Sequence, residues 1–146
     1  MPDWSLRGAS ADDARWIAEL RAVVLRADLE RLGRFDPVRV RQRFLSAFDP
    51  AVTQVVVADG HDAGSIAVRL EDDALWIEHF YLSPGLQGRG IGSSVLTAQL
   101  ASAAGDRPFK LNVLQGSRAR ALYERNGFVV ESEDPVDVFM VRPPVS

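Results

Sequence analysis

The sequence predicts an α/β fold: one domain over residues 1–146, with a mixed sheet of about seven strands flanked by about four helices. Three observations carry this. A length of 146 residues suits a single hydrophobic core. The apolar residues alternate between a period near 3.6 and a period of two. The segments so defined run β-α-α-β-β-β-α-β-α-β-β, the pattern of a mixed sheet with helices packed on it.

Taken in order, Trp4–Ala9 reads as a short strand. Ser10 then offers an N-cap, and Asp13 three residues on completes a capping box. Trp16, Ile17, Leu20, Val23 and Val24 follow at the spacing of one helical face. Asp36-Pro37 supplies an N-cap and a proline at the first helical position. A second helix through Val40, Phe44 and Phe48 ends before Pro50. The β-branched run Thr53–Asp59 is a strand, Asp59–Asp62 carries hairpin-turn chemistry, and Gly64–Glu71 is the returning strand. Ala74–Leu82 is a long aromatic strand stopped by Ser83-Pro84-Gly85. A helix from about Ile91 to Ala104 places Ile91, Val95, Leu96, Leu100 and Ala103 on its buried side. Phe109–Leu114 is a buried-type strand, and Ser117–Asn126 a short helix closed by Asn126-Gly127 as a left-handed cap. Two strands around the Asp134-Pro135 turn complete the chain.

Composition narrows the function classes. Hydrophobic residues make up 47% and charged residues 25%, with a formal net charge of -3. No overall positive field is available to hold nucleic acid. The absence of cysteine excludes disulfides and thiolate metal sites, and two histidines do not make a histidine-rich one. No basic region followed by an apolar core opens the chain, and no apolar run reaches membrane-spanning length. The expectation is a cytoplasmic protein with no membrane, nucleic-acid or metal partner.

The functional signal is the stretch Gln87-Gly88-Arg89-Gly90-Ile91-Gly92, set between a strand and a helix. The first-turn N–H groups of a helix lack intrahelical acceptors, and its macrodipole adds roughly half a positive charge there. Glycines clear the side chains that would keep an anion away and allow positive φ where the loop folds into a cradle. The dinucleotide fingerprint G-x-G-x-x-G does not fit, because Val95 stands where the third glycine is needed. No Gly-Lys-[Ser/Thr] triplet exists for a Walker A loop.

The segment LSPGLQGRGIGSSVL resembles the Q/R-x-x-G-x-G/A motif of the Gcn5-related N-acetyltransferases. The downstream NVLQGSRARALYERNGFVV resembles that family's next signature, in the same order and spacing. The final VDVFMVRP is similar to its closing strand, and the order of elements matches from end to end. The resemblance implies a mostly antiparallel sheet splayed between the fourth and fifth strands. It implies acetyl-CoA as cosubstrate, with the diphosphate on Gln87, Gly88, Arg89, Gly90, Ile91, Gly92 and Ser93. The pantetheine arm would pair like an added strand with backbone near Phe80, Tyr81 and Leu82. Ser117 stands where the family often has asparagine; its shorter side chain can cap the helix and hydrogen-bond the cofactor arm.

Transfer from a thioester to an amine requires a neutral amine, a donor to the oxyanion and a proton for the thiolate. Tyr123, at the family's tyrosine position, is the candidate acid. Glu78 is the candidate base; in an undistorted strand it shares a face with Trp76, Phe80 and Leu82, opposite Ile77, His79 and Tyr81. A bulge would re-aim the rival base His79, and a water-mediated route stays open. The oxyanion donor is expected to be a backbone N–H near Leu82. Arg39, Arg41 and Arg43, two residues apart, read as solvated helix charges, although the first two helices help shape the acceptor pocket in this family.

These features predict an acetyl-CoA-dependent N-acetyltransferase working by direct transfer in a ternary complex. The alternative is a catalytically silent acyl-CoA-binding module, and a nucleotide-phosphate binder ranks last. The acceptor is unassigned, although acidic net charge mildly suits cationic amines. The resemblance is compatible with a homodimer.

Overall fold

The computed structural model describes residues 3–86, 88–103 and 105–144. Its strands are β1 (Trp4–Gly8), β2 (Thr53–Ala58), β3 (His61–Leu70), β4 (Leu75–Leu82), β5 (Phe109–Leu114), β6 (Val129–Glu133) and β7 (Asp137–Arg142). The helices are α1 (Ala14–Arg31), α2 (Pro37–Ala47), α3 (Ile91–Ser102) and α4 (Ala119–Arg125). The strands form one seven-stranded sheet in the order β1-β2-β3-β4-β5-β7-β6. Every pairing is antiparallel except β4 with β5.

Sequence chemistry accounts for the element ends. Asp13 accepts from the Ser10 backbone N–H at 2.8 Å, as the capping box requires. Asp36 receives the N–H groups of Val38 and Arg39, both at 2.9 Å, ahead of Pro37. After α4, Phe128 N–H donates to the Tyr123 carbonyl and Gly127 N–H to that of Glu124. Gly127 sits at φ 91°, so the helix closes in a Schellman motif. The β2–β3 turn is only Asp59-Gly60, with φ 52° and 82°, so β3 begins at His61 rather than at Gly64 as expected.

Each sheet face carries its own core. Val56, Ile66 and Ile77 pack with Ile91, Val95 and Leu96 of α3 and with Tyr123 and Phe128. On the other face Val55 packs with Ile17 and Ala18 of α1 and Phe44 of α2. The buried stripe of α1 is Ile17, Ala18 and Ala22, and Val23 is exposed, against the sequence expectation. Alanines let the helix lie close on the sheet, which turns the valine outward.

Two irregularities position the site. β4 and β5 pair only at Leu75 with Phe109 and Trp76 with Lys110, and beyond these rungs they part. In β4, Glu78 lies opposite Ala67 and Tyr81 opposite Ser65. Residues 78–81 of β4, four in all, thus span the three residues 65–67 of β3, a β-bulge. His79 absorbs it at φ 49°.

Candidate active site

The bulge corrects the expected alternation of β4. Directly paired residues share a sheet face, and Ser65 and Ala67 lie two apart on one face, so Glu78 and Tyr81 face the same way. Ile77, Phe80 and Leu82 pack toward the α3 and α4 core, whereas Tyr81 packs toward α1 and α2. His79 also lies on that side, edge-on to the Phe44 ring with centroids 5.0 Å apart. Glu78 does not share a face with Phe80 and Leu82. Glu78, His79 and Tyr81 together form one wall of a cleft.

The cleft, about 760 Å³, opens where β4 and β5 part. Its lining includes Glu78, His79, Phe80, Tyr81, Ser117 and Tyr123. Six residues singled out for chemistry or cofactor contact therefore meet there: Glu78, His79, Phe80 and Tyr81 of β4, Tyr123 of α4, and Ser117 in the turn before α4. The volume falls within the usual range of a small-ligand pocket.

The Glu78 carboxylate is held by Arg69, with Nε to Oε1 at 2.8 Å and Nη2 to Oε2 at 3.4 Å. Arg69 also pairs with Glu71. Tyr81 and Arg21 form a network that sequence reasoning did not single out. Arg21 Nε donates to Tyr81 Oη at 2.9 Å, and Tyr81 Oη lies 3.2 Å from His79 Nδ1. Arginine can only donate, so the hydroxyl hydrogen is free to point at Nδ1, consistent with an Nε2–H tautomer of the ring. Burial pushes the His79 pKa down, which keeps the imidazole neutral; Glu78 acts against this and Arg21 with it. Burial also raises the phenol of Tyr81 above the ordinary tyrosine value and that of Tyr123 well above it, so both stay protonated. The Tyr123 ring packs on Phe128 with centroids 5.7 Å apart. Ser117 Oγ accepts from Ala119 N–H at 3.1 Å, while Arg118 rather than Ser117 is the N-cap of α4.

The glycine loop lies at the N-terminus of α3 rather than in the cleft lining. Gly88 and Gly90 adopt φ 82° and 79°, and a Cβ on either would meet nothing within 4 Å. Gly90 is the N-cap, so no side chain occupies the first-turn N–H groups. A Cβ on Gly92 would stand 3.2 Å from Leu82 Cδ1, which places the first turn of α3 against the end of β4. The donor set and the open space fit a diphosphate. The Ile91 side chain is buried in the core, leaving only its backbone toward the loop, while Ser93 is exposed. Arg89 is engaged by Asp59, at 3.1 Å. Gln87 lies outside the described residues.

The arginines of α2 also depart from expectation. Arg39 and Arg43, four residues apart, line the cleft together with Arg21 and Arg34, whereas Arg41 pairs with Glu19 away from it.

The family model described as an acetyltransferase (GNAT) domain matches residues 51–130, from the turn before β2 to the start of β6. No curated protein matches the sequence. Among solved structures the chain is similar to the PaiA N-acetyltransferase from Thermoplasma acidophilum in complex with coenzyme A. That pair has 18% identity and a TM-score of 0.75, covering 97% of this chain and 99% of that one. A GNAT-family acetyltransferase from Streptococcus agalactiae gives 16% identity and a TM-score of 0.75, covering 98% and 96%. The ribosomal-protein-S18-alanine N-acetyltransferase from Escherichia coli gives 15% identity and a TM-score of 0.71, covering 99% and 96%. At these identities the structural likeness carries the fold.

Proposed function

The chain belongs to the GNAT acetyltransferase family, and from that premise we propose that it transfers an acetyl group from acetyl-CoA to a primary amine by direct transfer in a ternary complex. The observation that carries this reading is the meeting of Glu78 and Tyr123 in one cleft, opened where β4 and β5 stop pairing. The bound carrier supplies an acetyl thioester. Backbone N–H groups at the start of α3, with Gly88 and Gly90 clearing their approach, hold its diphosphate. The β4 edge released beyond Trp76 offers backbone to the pantetheine amides near Phe80, Tyr81 and Leu82.

An acceptor amine has an ordinary pKa of about 10, so it must lose a proton before or during attack. Glu78 takes that proton, directly or through a water. It is half-exposed on the cleft wall and oriented by Arg69. The Nδ1 lone pair of His79 is turned to the Tyr81 hydroxyl, which leaves the carboxylate as the accessible acceptor. As the N–C bond forms and the C–S bond breaks, Tyr123 gives its phenolic proton to the departing sulfur. Its burial keeps that proton in place at neutral pH.

The test is thiol release across a panel of primary amines, with Glu78→Gln and Tyr123→Phe. Turnover by the native protein, lowered about a hundredfold in Glu78→Gln and about tenfold or more in Tyr123→Phe, is the expected outcome. Binding of CoA with no thiol release from any amine would instead favour the silent acyl-CoA-binding module.

A further inference from the structure

We propose that the acceptor carries an anionic group, a carboxylate or a phosphate, as well as its amine, and that Arg39 and Arg43 receive that anion. The inference deepens the acetyltransferase reading and rests on it. Although the chain is net acidic at -3, the α1–α2 side of the cleft is cationic. Arg21, Arg34, Arg39 and Arg43 all line it. Burial of Val40 and Phe44 fixes the rotation of α2, and Arg39 and Arg43, one turn apart, both line the cleft.

The partners of the charged groups carry the argument. Each carboxylate lining the cleft has a partner other than Arg39 and Arg43. Glu78 is held by Arg69. One oxygen of Asp134 accepts the N–H groups of Val136 and Asp137, and Asp137 accepts from Asn112 at 3.0 Å. Arg21 spends its donors on Tyr81 Oη and the Val40 carbonyl. Arg39 and Arg43 have no carboxylate partner among the described residues. Two guanidiniums one turn apart, lining one cleft and without a salt-bridge partner among the described residues, suit bidentate recognition of a carboxylate or phosphate. The anion they await is not the carrier's diphosphate, because α2 and the glycine loop that opens α3 pack on opposite faces of the sheet. An acceptor entering between α2 and β4 would set its anion on the arginines and its amine toward Glu78.

The test measures thiol release with matched acceptors: L-alanine against L-alaninamide, O-phosphoethanolamine against ethanolamine, and spermidine as a polycation. Each pair is run with the native protein, Arg39→Gln/Arg43→Gln and, as a charge control off the cleft, Arg41→Gln. The ratio of kcat/KM within a pair is expected to fall by about tenfold or more in the double variant and to hold in Arg41→Gln. The change in ratio cancels the difference in amine basicity between members. The pair that responds distinguishes carboxylate from phosphate. A double variant that scales both members alike, or spermidine as the favoured acceptor, would overturn the proposal. So would a loss of CoA affinity in the double variant, which would assign the arginines to the carrier. Should no amine turn over, calorimetry on CoA-loaded protein with N-acetyl-L-alanine against N-acetyl-L-alaninamide decides. Tighter binding of the anion, lost in the double variant, supports the proposal, and equal binding overturns it. Failure of the native protein to bind CoA at all would overturn the acetyltransferase reading itself.

Discussion

Replacing Gly90 by glutamate separates the contribution of the α3 N-terminus from that of the rest of the fold. Gly90 has φ 79°, and a Cβ there meets nothing within 4 Å, so the substitution collides with no neighbour. The fold bears only the left-handed backbone of an L-residue, about 1–2 kcal/mol. For a chain of this size that is a fall in Tm of about 3–6 °C. The ligand bears far more. A carboxylate about 4 Å from a phosphate costs about 4 kcal/mol at the effective dielectric of a protein surface pair, and about 1 kcal/mol if fully screened by water. A weakening of CoA between about fivefold, if fully screened, and about a thousandfold is expected. Isothermal titration at low salt reads it, and the loss should shrink in concentrated salt, where the Debye length contracts. Gly90→Ala carries the same backbone cost without the charge and should weaken CoA far less. Gly33→Glu, at φ 70° with equally open space, reports the strain alone. If Gly90→Glu binds CoA within about threefold of the native protein, the diphosphate does not sit on the first turn of α3.

Four further outcomes follow from the same geometry. Asp13, 4% exposed, accepts from Arg7, Ser10 N–H and Trp16 Nε1; Asp13→Ala should cost about 3 kcal/mol in urea unfolding at pH 7, and a loss under about 1 kcal/mol would refute the network's importance. Arg7 holds that carboxyl well below the ordinary range, so its stabilisation is full above the unfolded carboxylate pKa of about 4 and is lost as pH falls further; the gap between native and variant should close in acid. A Cβ on Gly64 would stand 2.4 Å from the Tyr81 carbonyl oxygen and 2.7 Å from Leu82 Cδ2; Gly64→Ala should push β3 from β4 beside the bulge, destabilising by about 2 kcal/mol or more and weakening CoA, whereas native-like values for both would refute the close approach. Burial lowers the His79 pKa, so its NMR titration should fall below the ordinary value of about 6.5 and fold stability should decline as pH drops from there toward the folded pKa; a midpoint at or above about 6.5 contradicts the neutral ring.

Local chemistry made most of the fold legible in the sequence. Asp36-Pro37, the Ser10–Asp13 box and Asn126-Gly127 each mark a helix end through bonds made within a few residues, and each end lies where they put it. The glycine loop and Tyr123 were legible because their spacing along the chain carries the signal. What was hidden depends on distant partners. The bulge at His79 is set by pairing with β3, and histidine does not advertise positive φ as glycine does. The Arg21–Tyr81 bond joins residues sixty positions apart. The contact of Arg89 with Asp59 depends on the β2–β3 turn, thirty residues away in the chain. The pairing of Arg39 with Arg43 was within reach of the sequence, since residues four apart share a helical face.

The two-rung junction between β4 and β5 has a consequence for the protein's life in the cell. On the edges that face each other, β4 beyond Trp76 and β5 beyond Lys110 are not paired to one another, so a carrier seated between them would make the molecule more durable. On the reading above, occupancy at a hundred times Kd adds about 2.7 kcal/mol of protection against unfolding by mass action. Chains made while the acyl carrier is scarce would meet proteases sooner than those made in plenty, and the abundance of the enzyme would follow the supply of its own donor.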